Sequence, residues 1–239
     1  MMKQRLDQAL VQRGLVSTRS QADSYIRLGQ VQVNGKAVTK AGALVGDDDV
    51  IKLTAEEQYV SRAALKLASV AETLKLDFRD KVMLDVGSST GGFTEYALKH
   101  GASKVIAVEV GTDQLHPSLR GQPQIELHEK TDIRDFNTAQ LIDLVVADVS
   151  FISLREILPS VVKLSGPQTL LAIMVKPQFE AGQSNLKHKG VIKNDKLRRE
   201  ILKDFEDWAR QHFIVLDKAD SQVAGSKGNL ERFYLLKKL

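Results

Sequence analysis

Five short apolar runs set the fold class of the second part of this 239-residue chain: Val82–Val86, Val105–Val110, Ile125–Leu127, Leu144–Asp148 and Leu170–Val175. They are apolar almost throughout rather than alternating, the pattern of strands buried on both faces. Helical runs lie between them at Thr94–His100 and Leu154–Leu164. A third helix follows at Lys196–Gln211, with Leu197, Ile201, Phe205 and Trp208 on one side. Strands alternating with helices predict an α/β fold with a doubly wound, mostly parallel sheet. Phe213–Leu216 and Phe233–Leu236, separated by a Gly/Ser/Lys loop, predict a closing antiparallel hairpin and bring the count to seven strands.

The first block reads differently. Leu6, Ala9 and Leu10 repeat at helical spacing and Gly14 ends the run. Thr18 with Gln21 three residues later forms a capping box for a second helix. Ala22, Tyr25 and Ile26 give that helix its buried side, and Gly29 falls at its C-terminal end. Val31–Val33 alternates, Asn34-Gly35 is a two-residue hairpin signal, and Ala37-Val38 begins the return strand. Asp47, Asp48 and Asp49 break the chain before Val50–Leu53. This is a small α+β module of residues 1–54. Thr54–Gln58 is polar and acidic, giving a linker at 55–60 and a larger domain at 61–239.

Charge is distributed unevenly. The whole chain carries +4, but residues 1–40 hold Lys3, Arg5, Arg13, Arg19, Arg27, Lys36 and Lys40 against only Asp7 and Asp23. A basic end on a near-neutral body suggests contact with a polyanion, most commonly nucleic acid. Arg5, Arg19, Lys36 and Lys40 are the candidates for phosphate contacts, with Arg62 as a fifth cation for the same ligand. The chain has no cysteine, which excludes disulfides, thiolate zinc sites and a cysteine nucleophile. No run approaches the ~18 apolar residues of a membrane span, and the opening lacks the apolar core of a signal peptide. A soluble, cytoplasmic protein is expected. His100, His116, His128, His188 and His212 show no metal-ligand spacing, so no metal is assigned.

Asp85-Val-Gly87-Ser88-Ser-Thr-Gly91-Gly92-Phe93 runs from a strand through a glycine-rich turn into a helix. Amides at such a turn bind anionic groups, but the dinucleotide pattern G-x-G-x-x-G is broken by Ser89 at its middle glycine. Asp85 is an acid that a pyrophosphate site would not want. It suits a ligand with a positive centre and an amine. Glu109 lies where a ribose-binding carboxylate belongs, about 20 residues on, and Asp132 is placed to accept from an adenine amino group. S-adenosylmethionine has those parts. A tight βα turn without a ligand is the plainer alternative.

Charge also sits at strand ends. Asp148 ends the fourth strand, Lys176 ends the fifth beside Pro177, Glu231 opens the last strand, and Lys66 lies on the helix before the sheet. Ligands of open α/β sheets sit beyond the carboxyl ends of the strands, where Asp148 and Lys176 would face one another. Taken singly, Lys66 reads as a surface helix charge and Asp148 as a turn cap. Together the two lysines and two carboxylates form a neutral set able to surround a hydroxyl nucleophile.

With the glycine turn, ADVSF, KPQFE and GNLER, preceded by YVSR and LKL, the larger domain resembles the TlyA (haemolysin A) family of FtsJ-like ribosomal RNA 2′-O-methyltransferases. The first block, RLDQALVQRGLVSTRSQAD through VQVNGKAV, is similar to an S4 RNA-binding domain. The resemblance spans nearly the whole chain. It implies a Rossmann-like S-adenosylmethionine-dependent domain with a Lys-Asp-Lys-Glu tetrad on Lys66, Asp148, Lys176 and Glu231. It places the cofactor positions on Asp85, Gly87, Gly91, Gly92, Glu109 and Asp132; Ser88, Phe93 and Asp148 complete the cofactor candidates. The implied substrate is a cytidine ribose in ribosomal RNA. Two departures stand out: Ala63-Ala64 fill a place where the family often has Gly-Gly, and Glu109 replaces a more usual aspartate.

The expected mechanism makes Lys176 the general base, oriented by Asp148, with Lys66 and Glu231 positioning the hydroxyl. A neighbouring cation favours proton loss from a lysine and a carboxylate opposes it, so the balance stays open at this point. Two other readings remain. One is a haemolytic, membrane-acting protein, which no amphipathic export segment supports; the other is a non-catalytic RNA-binding assembly factor, against which the intact tetrad argues.

Overall fold

A computed structural model describes residues 3–55, 58–181, 191–192, 194–225 and 228–239. The N-terminal part contains β1 (Gln4–Arg5), α1 (Leu6–Gln12), α2 (Arg19–Arg27), β2 (Val31–Val33), β3 (Lys36–Ala37), β4 (Leu44–Val45) and β5 (Ile51–Leu53). Thr18 caps α2 through the reciprocal Thr18–Gln21 box, as the spacing predicts. Asn34 and Gly35 both take positive φ, 50° and 78°, the geometry that lets a two-residue turn match the strand twist. β2 is the centre of a three-stranded sheet between β3 and β5. The sequence reading has no counterpart for the β1–β4 pair, because two residues are too few to show a period.

The larger part runs α3 (Arg62–Ala71), β6 (Val82–Val86), α4 (Gly92–Lys99), β7 (Lys104–Val108), a 3-10 turn at Pro117–Leu119, then β8 (Ile125–His128) and β9 (Leu144–Ala147). It continues with α5 (Leu154–Leu164), β10 (Leu170–Val175), α6 (Pro177–Glu180), α7 (Asp195–His212), β11 (Phe213–Asp220) and β12 (Arg232–Lys238). The seven strands lie in the order β11-β12-β10-β9-β6-β7-β8. β12 is antiparallel to both β10 and β11, and the other neighbours are parallel.

Apolar residues of the strands feed two cores, one on each face of the sheet. Met83, Val105, Val146 and Met174 join one with α3 and α4, while Leu84, Ile106, Val145 and Ile173 join the other with α5 and α7. That is why these runs show no alternation. The first core continues into the N-terminal part through Leu6, Leu10, Tyr25 and Ile26. Gln21 Nε2 also donates to the Tyr59 carbonyl at 2.9 Å. The N-terminal module is therefore packed on the larger domain and shares its interior.

Several ends differ from expectation. β7 stops at Val108, so Glu109 lies past its end and Val110 is 69% exposed. β9 stops at Ala147, leaving Asp148 just beyond it. The hairpin strands are longer than predicted because their outer residues are polar. Two residues of the predicted linker (56–57), two of the hairpin loop (226–227) and His188 lie outside the described residues.

The chain order fixes where a ligand can sit. From β6 the strands step outward to β7 and β8, and β9 then returns to the opposite side of β6. The crevice at that reversal, between the carboxyl ends of β6 and β9, is the binding position of open α/β sheets.

Candidate active site

Four charged side chains meet at this crevice. Lys66 lies in the middle of α3, and Asp148 and Lys176 follow the parallel strands β9 and β10. The fourth arrives because β12 runs antiparallel: Val175 pairs with Arg232, so Glu231 lies at the same edge as Lys176. Lys66 Nζ lies 2.6 Å from Glu231 Oε2 and 3.9 Å from Asp148 Oδ2. Asp148 Oδ1 lies 2.5 Å from Lys176 Nζ, which donates to Ser150 Oγ at 2.8 Å. The result is a chain of alternating charge, Glu231–Lys66–Asp148–Lys176, with Asp148 standing between the lysines. Lys66 is buried rather than a surface charge, and Glu231 is only 2% exposed.

Buried ions persist when paired, since a lone one is costly to desolvate. These pairs are close but not fully aligned: neither Asp148 Oδ1 nor Glu231 Oε2 has a hydrogen bond among the described residues. Both oxygens are buried, each with a lysine ammonium beside it.

Three connected cavities share Asp148 and Ser150. The largest, about 450 Å³, is lined by Arg62, Lys66, Phe151, Lys176 and Glu231. A second of about 360 Å³ is lined by Gly87, Glu109, Gln114, Asp132 and Ile133. A small one of about 150 Å³ touches Asp85, Ser88, Phe93 and Lys176.

Asp85 faces the small cavity and is 1% exposed. Its Oδ2 accepts from Thr94 Oγ1 at 2.6 Å, while Oδ1 is buried without a partner among the described residues, as is Ser88 Oγ. Burial pushes the Asp85 carboxyl up to about 7; the Thr94 hydrogen bond opposes this and the Asp148 charge adds to it. A buried acceptor and an unsatisfied hydroxyl at one small cavity fit the charged amino-acid end of S-adenosylmethionine.

Glu109 organises the neighbouring loops, accepting from Ser89 N at 2.9 Å and Gly111 N at 2.7 Å. Asp132 lines the second cavity but already holds Arg134, with Oδ2 2.6 Å from Nη2. The hydrogen bonds from Arg134 keep its carboxyl below the usual range.

The glycines serve close packing. At Gly87 (φ 79°) a Cβ would lie 2.9 Å from the Asp148 carbonyl oxygen, so glycine lets β6 and β9 converge at the crevice. At Gly92 a Cβ would come within 2.9 Å of Ala64 N and closer to Ser61 Oγ. Gly92, not the 63–64 pair, thus supplies the close approach of α4 to α3. Gly91 precedes it as the N-cap, and Phe93 is buried beside Phe233 at 6.0 Å between ring centroids.

The cationic candidates divide into two kinds. Arg5 and Arg19 both grip the buried Asp7, at 3.0 and 2.9 Å. Their hydrogen bonds outweigh burial and hold that carboxyl below its ordinary value. Lys36 and Lys40 are exposed and in no ion pair among the described residues. Arg62 opens α3 at the cleft, where the helix dipole disfavours a cation.

Phe151 was not singled out by sequence. It is 92% exposed at the rim of both large cavities, with φ of 67°, a conformation costing roughly 1–3 kcal/mol for a bulky residue. Its ring lies 5.3 Å from Phe179. The signal was an aromatic residue just past a strand end. Among the described residues no group of three acidic or histidine side chains could hold a metal, and no helix is long and apolar enough to cross a membrane.

Comparison with known proteins places both parts of the chain in known families. Residues 59–238 match the model of the FtsJ-like methyltransferase family, and residues 4–51 match the S4 domain. The chain is 36% identical over 239 residues to the 16S/23S rRNA (cytidine-2′-O)-methyltransferase TlyA of Mycobacterium tuberculosis, covering 98% of this chain and 89% of that protein. It is 36% identical over 232 residues to hemolysin A of Brachyspira hyodysenteriae, covering 95% and 97%. A solved structure of a hemolysin-named protein from Streptococcus thermophilus superposes with a TM-score of 0.73 at 34% identity, covering 100% of this chain and 89% of that one.

Proposed function

The chain belongs to the TlyA (haemolysin A) family of FtsJ-like methyltransferases, and from that premise we propose how its residues methylate the 2′-hydroxyl of a cytidine ribose in ribosomal RNA. The carrying observation is the charge chain Glu231–Lys66–Asp148–Lys176 beside the cavity of Asp85. S-adenosylmethionine, when bound, supplies a methyl group on a positively charged sulfur.

Asp85 and Ser88 would hold the amino-acid end of that donor, with Phe93 and the Gly87–Gly92 turn behind it. Glu109 would take the ribose and the cavity beside Asp132 the adenine. Asp132 acts there as a wall fixed by Arg134, which engages both of its oxygens.

Lys176 Nζ takes the proton of the substrate hydroxyl. Its contacts to Asp148 Oδ1 and Ser150 Oγ fix the head group at the edge of the cleft. Lys66 and Glu231 position the hydroxyl through one donor and one acceptor. Alignment is a large part of the work, with reacting atoms held about 3–3.5 Å apart. Arg62 supplies the positive charge that the neutral tetrad lacks for the adjoining phosphate. Phe151 presents a stacking surface for a base whose ribose enters the cleft.

Purified protein given ribosomal subunits and tritiated S-adenosylmethionine should place label on a cytidine 2′-oxygen, in the cytoplasmic setting of ribosomes. Label on a base, or none, would overturn the reading. Phe151→Ala should lower kcat/KM for RNA about tenfold, since base–aromatic stacking is worth ~1–3 kcal/mol. Equal turnover of the variant and the parent would remove the platform.

The S4 module contributes phosphate contacts, led by the exposed Lys36 and Lys40. Removing each should flatten the slope of log affinity against log salt by about 0.7–0.9, measured by RNA titration at several salt concentrations. Deleting residues 1–55 is a poorer test, because it would also strip Leu6, Tyr25 and Ile26 from a shared core. An unchanged slope would mean that the RNA lies elsewhere.

A further inference from the structure

Glu180 is a buried acid that the mechanism above does not use. It lies at the far end of α6 from Lys176, lines none of the three cavities, and reaches across to the loop that follows β9. One carboxylate oxygen accepts from Leu154 N at 2.7 Å and the other from Ser153 Oγ at 2.7 Å. Arg155 Nε approaches to 3.7 Å. Burial pushes this carboxyl up, against the two hydrogen bonds.

Glu180 satisfies the first amide of α5, Leu154 N, while the N-cap Ser153 accepts from the next, Arg155 N at 3.2 Å. Beyond that capping role, Glu180 completes a series of contacts joining the loops after two neighbouring strands: Asp148 to Lys176, Ser150 to Lys176, Phe151 to Phe179, and Ser153 with Leu154 to Glu180. Within that series Phe151 sits in the left-handed region, which a bulky side chain does not hold unaided. The backbone before it is fixed where Asp148 N donates to the Val86 carbonyl at 3.1 Å. The backbone after it is fixed by Glu180.

We propose that Glu180 is a positioning residue that locks the 148–154 turn, holding Phe151 in its left-handed conformation at the mouth of the cleft. The proposal rests on the reading of Phe151 as the platform for the substrate base. Its two oxygens are needed as a pair of acceptors, not as a base or a ligand. An amide of the same shape can keep one acceptor on Leu154 N and turn its donor to Ser153 Oγ.

The test is a double-mutant cycle on full-length protein, read as kcat/KM for RNA. Glu180→Ala should lower it about tenfold, and Glu180→Gln should stay within about threefold of the parent. In a Phe151→Ala background, Glu180→Ala should cost less than about twofold more, because the residue it positions is gone. A loss of full size in that background would overturn the proposal alone. Phe151→Ala without effect would remove the platform reading and the proposal with it. If Glu180→Ala does not fold, Ser153→Ala reports on the same lock by deleting one of its two bonds. It should lose about threefold, again only while Phe151 is present, and the same loss in both backgrounds would overturn the proposal.

Discussion

Replacing Lys176 with methionine is expected to lower methyl transfer to RNA by a factor of about 10²–10⁴, the usual worth of a positioned general base. The substitution nearly keeps the length of the side chain and removes its amine, and with it the contacts to Asp148 and Ser150. It also leaves the fold in place: Asp148 is partly exposed and retains Lys66 at 3.9 Å. Lys66→Met is a less clean experiment. It strands Glu231, 2% exposed, without its 2.6 Å partner, and breaking such a pair costs about 3–5 kcal/mol. A single-turnover assay separates chemistry from binding. Lys176→Met retaining more than a tenth of parental turnover would end the assignment of Lys176 as the base.

Binding of S-adenosylmethionine should weaken about tenfold for each pH unit below about 7. The cause is Asp85, whose carboxyl burial pushes up to about 7 and whose ionised form is the one that attracts an ammonium group. At pH 8 it is ionised and affinity is full; by pH 6 about nine-tenths of the protein carries the proton. Asp85→Asn should bind the donor weakly with little pH dependence. Calorimetric titrations between pH 6 and 8 that give a flat dissociation constant for the parent would refute this.

Asp85 has a consequence for stability of the opposite sign. Its folded-state value of about 7 stands above the ordinary 3.8, so the folded protein holds this proton more tightly than the unfolded chain. The contribution is fully present below about pH 4 and is lost as pH rises through about 7, a difference on the order of 4 kcal/mol. Without donor, Asp85→Asn should therefore melt higher than the parent at pH 8, with the gap closing toward pH 5.

The alternation of apolar runs and helical periods made the sheet legible in the sequence, because strands buried on both faces leave long apolar runs. Val82–Val86, Leu154–Leu164 and Leu170–Val175 have the same limits in the structure. Asp148, Lys176 and Glu231 stood out because a charge at the end of an apolar strand has few structural uses, whereas Lys66, on a helix, read singly as a surface charge. Phe151 and Glu180 were less legible. A phenylalanine is ordinarily a core residue, and its exposure depends on a backbone angle that no local pattern states. Glu180 acts on a loop 26 residues away, and such a separation leaves no trace in spacing. Arg5 and Arg19 looked like free cations for the same reason, since nothing in the sequence says that both close on Asp7.

The insertion of β12 between β10 and β11 means that the last of these strands to be made occupies an interior place. A nascent polypeptide has made Lys66, Asp148 and Lys176 well before Glu231 emerges, and until then the flank of β10 lacks a neighbour. Translation arrested before residue 231 should leave an inert, association-prone product rather than a slow enzyme, so competence arrives in one step when β12 is made.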